Sequence, residues 1–131
     1  MKINGFEDLP VWKSAILFLK EIYRITGIGD FSKDWSLKDQ IRRASISISS
    51  NIVEGFEKSN NNELIRFLLI AKGSLGEVKN QLIIAKEIEY ISTDEYAKIR
   101  QHADDLSKQI GGFVNYLCDK RKAGEFKPSK K

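Results

Sequence analysis

The chain has 131 residues, the size of one domain, and its 41% hydrophobic and 31% charged residues exclude general disorder. It has no apolar run of the roughly eighteen residues a membrane span needs, and Met1 to Phe6 lead into charge, so a cytoplasmic protein without membrane contact is expected. A lone Cys118 and a lone His102 exclude an internal disulfide and a Cys/His zinc cluster, and the net charge of +4 belongs wholly to residues 119–131, because residues 1–118 balance 16 Lys and Arg against 16 Asp and Glu.

Four segments carry helical periodicity. The first opens at Asp8 and places Leu9, Trp12, Ile16, Leu19 and Tyr23 on one side, the side expected to face the core. A link from Thr26 to Trp35, with Gly27, Gly29 and Asp30, follows. The second helix is expected to open at Ser36, to align Leu37, Ile41, Ala44, Ile48 and Ile52, and to close with Asn51-Ile-Val-Glu-Gly55. Within it, Ile46-Ser47-Ile48-Ser49 alternates as a half-buried strand would, but the flanking helical pattern overrules that reading. After Lys58–Asn62, the Asn60 to Glu63 start signal opens a helix of roughly 28 residues, with Leu64, Leu68, Ala71, Leu75, Val78, Leu82 and Ala85 in steps of three and four. A short turn near Tyr90–Thr93 leads to the fourth helix. There Ser92-Thr-Asp-Glu95 has the capping-box form, and Tyr96, Ile99, Ala103, Leu106, Ile110, Phe113 and Leu117 share one face. Short links predict an all-α, antiparallel up-down-up-down four-helix bundle over residues 1–118, followed by a basic, flexible tail over residues 119–131.

Two of these helices carry more apolar surface than one bundle face uses. Ala15, Phe18, Ile22 and Ile25 form a second stripe on the first helix, and Phe67, Leu69 and Ile70 carry apolar surface most of the way round the third. Either the core is wide or a second surface is covered by another copy. The expected oligomer interface is therefore Ala15, Phe18, Ile22, Phe67, Leu69 and Ile70. Gly73 and Gly76 sit in mid-helix, where each costs about 1 kcal/mol relative to Ala. Close approach of the second helix, with its small residues Ala44 to Ser50, would offset that cost; a kink is the alternative.

Arg43, Ser47, Asn51 and Glu54 make a polar ridge on the second helix. The structural reading pairs Arg42 or Arg43 with a carboxylate such as Glu54 or Glu77 and has Asn51 satisfy nearby backbone; the functional one makes Arg42 and Arg43 a phosphate-contacting pair. His102 reads as a surface or boundary residue and Cys118 as a small packing group. In the tail, Lys120, Arg121, Lys122 and Lys127 are candidate nucleic-acid contacts whose alternative is a solvated helix end. No nucleophile has a visible base, so no catalytic residue, metal or cofactor is expected.

Phe6-Glu-Asp-Leu-Pro-Val-Trp12, Gln40-Ile-Arg-Arg-Ala44, Asn51-Ile-Val-Glu-Gly55 and Gly73-Ser-Leu-Gly-Glu77 together resemble the bacterial proteins encoded in intervening sequences of 23S ribosomal RNA, over roughly residues 6–117. The resemblance implies a four-helix bundle that can assemble into a ring-shaped pentamer. It also implies kinship with the accessory variability protein of diversity-generating retroelements, which partners a reverse transcriptase and binds nucleic acid. Gln40, Arg42, Arg43, Asn51, Glu54, Gly55, Gly73, Ser74 and Glu77 match the family's blocks, and their expected role is structural. Ser49 and Ser50 stand where the family often has Pro and Ala, and the balanced charge of residues 1–118 argues against carrying over a basic nucleic-acid surface. The expected function is a non-enzymatic, homo-oligomeric interaction or scaffold module. Its partners are copies of itself or another protein, with RNA or DNA binding as the alternative.

Overall fold

A computed structural model describes residues 2–122 and, for side chains, residues up to Lys120. The described residues form four long helices, α1 (Pro10–Thr26), α2 (Trp35–Glu57), α3 (Asn61–Glu87) and α4 (Thr93–Lys122), and no strands. No helix of the described residues is long and apolar enough to cross a membrane.

The starts of α3 and α4 follow their sequence signals: Asn60 Oδ1 accepts from the Glu63 backbone N–H at 3.1 Å, and Ser92 Oγ accepts from that of Glu95 at 3.0 Å. The start of α2 lies earlier than Ser36. Its cap is Asp34, whose Oδ1 accepts from the Leu37 N–H at 3.0 Å while Oδ2 accepts from the Tyr90 hydroxyl at 2.8 Å. One carboxylate thus closes the helix end and ties it to the α3–α4 turn. Asp8 does not cap α1 either; it ends a short 3-10 turn (Phe6–Asp8), and its Oδ2 accepts from the backbone of Asn4 and Gly5, so that Pro10 opens α1.

The core is one cluster shared by all four helices. α3 and α4 bury the stripes read from their spacing, Leu64 to Ala85 and Ile99 to Leu117, with Tyr96 and Phe113 half-buried at the edge. α2 buries Ile41, Ala44, Ile48 and Ile52, and the Ile46–Ser49 alternation is helical throughout. Leu9, just before α1, is buried as expected, but along α1 itself the expected order is reversed. The inward stripe is Val11, Ala15, Phe18, Ile22 and Ile25, while Trp12, Ile16 and Leu19 are half-buried and Tyr23 is exposed. Ala15, Phe18 and Ile22 are therefore core residues of the single chain and have no surface left for another copy.

The helices pack unequally: among neighbouring pairs α2 and α3 make the most extensive contact and α1 and α4 the least. Gly55 explains the close α2–α3 approach. A Cβ there would lie 2.8 Å from Phe67 Cβ and 3.2 Å from Leu64 Cα, so only glycine admits this packing. Gly55 does not end α2, which runs on to Glu57, and Phe67 is buried against it instead of facing outward. Gly73 and Gly76 reverse the other expectation. Both are exposed, with no atom within 4 Å of an added Cβ, and α3 runs unbroken through them.

Candidate functional site

The polar ridge of α2 and the polar positions of α3 meet in a groove of about 330 Å³, lined by Gln40, Arg43, Ala44 and Ser47 from α2 and Ser74, Glu77 and Gln81 from α3. Spacings of three and four residues on each helix put these side chains along facing edges. Their placement unites sequence blocks some thirty residues apart, because Gln40 and Arg43 come from one and Ser74 and Glu77 from another.

At one end, Ser47 Oγ and Ser74 Oγ are 3.0 Å apart. Asn51 Nδ2 donates to Ser47 Oγ at 2.9 Å and to the Ser47 carbonyl at 2.8 Å, so Asn51 satisfies backbone as expected and also fixes the serine pair. Of the two serine hydroxyl protons only one lies between the oxygens, which leaves the other available to an acceptor in the groove. Midway, Arg43 bonds neither Glu54 nor Glu77. Its Nε donates to Asp39 Oδ2, one turn earlier on α2, at 2.9 Å. At the far end Gln40 Nε2 donates to Ser36 Oγ at 3.2 Å, and Gln81, only 8% exposed, has a buried Oε1 without a hydrogen-bond partner.

Arg42 points elsewhere. Its Nε donates to Thr26 Oγ1 at 2.8 Å, its guanidinium lies 4.1 Å from the centre of the Tyr23 ring, and Thr26 in turn donates to the Ile22 carbonyl. Arg42 thus clamps the end of α1 to α2, while Arg43 is held on Asp39, so the two guanidiniums make different contacts. Glu54 is exposed near Arg66, whose guanidinium is held above its ordinary pKa first by its bonds to Glu63 and least by the Glu54 charge.

Besides Glu63, lowered by Arg66 within α3, three carboxylates outside the groove sit below their usual range. Asp34 is lowered by the Leu37 N–H and then by the Tyr90 hydroxyl. Asp104 is lowered by Lys79 and then by Arg100. Glu95 is lowered by Arg24, which reaches from α1 to α4. These link elements of the fold, and none of them lines the groove.

His102 is exposed at the rim of a second, more apolar groove of about 420 Å³ between α1 and α4, over Leu17, Phe18 and Leu106. Cys118 is half-buried against the core. The first residues of the expected tail continue α4: Lys120 places its Nζ 5.5 Å over the Tyr116 ring, and Arg121 and Lys122 close the helix. Lys127 lies outside the described residues. Of the expected interface, Leu69 (51%) and Ile70 (41%) are the members that remain exposed.

The periodicity of α2 shows the Arg43–Asn51 ridge, but Gln81 goes unnoticed in sequence. It occupies a position between Val78 and Leu82 in a helix whose apolar residues run nearly all the way round, and only its register against Gln40 reveals it.

No protein of curated function matches the chain. A solved structure from Bacteroides thetaiotaomicron VPI-5482, described as a protein with unknown function from the S23 ribosomal protein family, is similar over 79% of this chain and 97% of its own. The two are 23% identical with a TM-score of 0.72, a likeness of fold. The family model described as 23S rRNA-intervening sequence protein matches residues 7–112, which take in α1, α2 and α3 entire and most of α4. The chain belongs to the 23S rRNA-intervening sequence protein family.

Proposed function

We propose that the chain is a non-enzymatic interaction and scaffold protein, an antiparallel up-down-up-down bundle that assembles with copies of itself. Support for the antiparallel order comes from contacts whose numbers rise on one helix as they fall on the next. Ser47 meets Ser74 while Gly55 meets Leu64 and Phe67, and Lys79 pairs with Asp104 while Lys72 reaches Gly111.

Self-association rests on the outer face of α3. Leu69, Ile70, Ile83 and Ile84 are exposed there, and Gly73 and Gly76 lie between them with open space above. Two mid-helix glycines cost about 2 kcal/mol relative to alanine, and nothing among the described residues uses their lack of a side chain. A helix of a second copy seated on this face would use it and would cover the apolar residues. The interface is therefore centred on α3, with Leu69 and Ile70 kept from the expected set and the α1 residues removed. The ring-shaped pentamer of the family sets the expected size. Sedimentation velocity on the full chain tests the reading: assembled particles are expected, and single chains at tens of micromolar refute it.

A second reading, RNA or DNA binding, is favoured by the excess charge at Lys120, Arg121, Lys122 and Lys127. On that reading binding to a short RNA falls steeply with salt and is lost when residues 119–131 are removed. Unchanged affinity after the truncation removes the tail from the reading, and no binding at about 50 mM salt refutes it.

A further inference from the structure

We infer that the groove between α2 and α3 is a binding site for a small zwitterion of the α-amino acid class. This goes beyond the scaffold reading, and Glu77 lies midway between Ile70 and Ile84 on α3, so a copy seated on that face would compete with a ligand in the groove.

The lining selects the class by what it offers and what it lacks. A guanidinium, Arg43, and a carboxylate, Glu77, stand on facing helices and are not bonded to each other, because Arg43 turns back to Asp39. Phosphates and other simple anions would meet Glu77, and a metal ion would find one carboxylate beside a guanidinium. No aromatic ring lines the groove to stack on a nucleobase, and Ala44 is its only apolar lining residue, the rest of its carbon surface being the stems of polar side chains. A zwitterion matches both charges at once.

The hydrogen-bond inventory agrees. The ligand carboxylate would take Arg43 Nη donors and the spare hydroxyl proton of the Ser47–Ser74 pair, which Asn51 holds in place. The ligand ammonium would donate to the Glu77 carboxylate on the facing helix. A volume of about 330 Å³ holds the backbone of a free amino acid, and the open mouth leaves its side chain outside.

Two-dimensional amide NMR of the full-length protein, titrated with L-alanine and L-glutamine, tests the site. Saturable shifts are expected at Ser47, Ser74 and Gln81, with none from N-acetyl-L-alanine or L-alanine amide, each of which lacks one charge. Arg43→Gln and Glu77→Gln should each weaken binding about tenfold or more, the loss expected for one charged hydrogen bond. Asp39→Asn should tighten it, because it frees the Arg43 guanidinium, and a purely structural groove gives no such gain. All three positions are at the surface, and the amide spectrum of each variant reports folding directly. Absence of saturable shifts with either amino acid in both the parent and the Ile83→Glu variant, which leaves the α3 face uncovered, or equal binding of the blocked analogues, overturns the assignment.

Discussion

The three glycines of α2 and α3 give the sharpest test of the packing, because the same substitution has opposite signs at different positions. Gly55→Ala adds a Cβ 2.8 Å from Phe67 Cβ and 3.2 Å from Leu64 Cα, where carbon contacts are ordinarily about 3.5–4.0 Å. Both neighbours are fixed to the backbone of α3, so relief requires the two helices to separate by several tenths of an ångström along their most extensive contact. Overpacking of this kind costs up to about 3 kcal/mol, and replacing a helical glycine returns about 1 kcal/mol, leaving a net loss of about 2 kcal/mol. At Gly73 and Gly76 no atom lies within 4 Å, so alanine should stabilise the single chain by up to about 1 kcal/mol at each position. Urea unfolding followed by circular dichroism, at concentrations low enough to keep the chains apart, measures both. A Gly55→Ala protein as stable as the parent would refute the close approach. Destabilisation by Gly73→Ala or Gly76→Ala in separated chains would refute the open space above α3.

Further outcomes follow from the same contacts. Thr26→Val removes the acceptor of Arg42 Nε and should cost about 1–2 kcal/mol in urea unfolding, whereas Arg42→Gln should lower stability without changing affinity for RNA. Asp34, Asp104 and Glu95 have folded pKa values below their ordinary ones, so the folded state binds fewer protons than the unfolded one through the carboxylate range. Their stabilisation is present above that range and is lost as pH falls through the depressed values, so the urea midpoint should drop between neutral pH and about pH 3. Asp34→Ala should reduce this drop as well as the midpoint at neutral pH; an unchanged pH profile would contradict the double role of Asp34.

Periodicity sufficed for α4, whose apolar residues keep to one side, and for the inward stripe of α3, where steps of three and four run unbroken from Leu64 to Ala85. α3 and α4 bury the stripes their spacing marks, and Asn60 and Ser92 cap them because a side-chain acceptor three residues before a free N–H is a local matter. α1 failed the same test because both of its sides are apolar. Spacing could not choose between Leu9–Tyr23 and Val11–Ile25, and only the amphipathic Trp12 and Tyr23, suited to a boundary, hinted at the outer one. The glycines failed for a different reason. A glycine signals that a side chain is unwelcome or unneeded, and which of the two holds depends on a neighbour the sequence does not locate. Gly55 is the crowded one, and Gly73 and Gly76 are the open ones. The groove was half legible: Arg43, Ser47 and Asn51 form a visible ridge, but Ser74, Glu77 and Gln81 join it only through the register of α2 against α3.

The central claim is that the outer face of α3 joins copies of this chain. Native mass spectrometry of the full-length protein beside an Ile83→Glu variant tests it most directly, because Ile83 is exposed on that face and its replacement leaves the core intact. The account predicts a particle of several chains for the parent, with five expected, and a folded single chain for the variant. A parent of one chain, or a variant that assembles as the parent does, would contradict it.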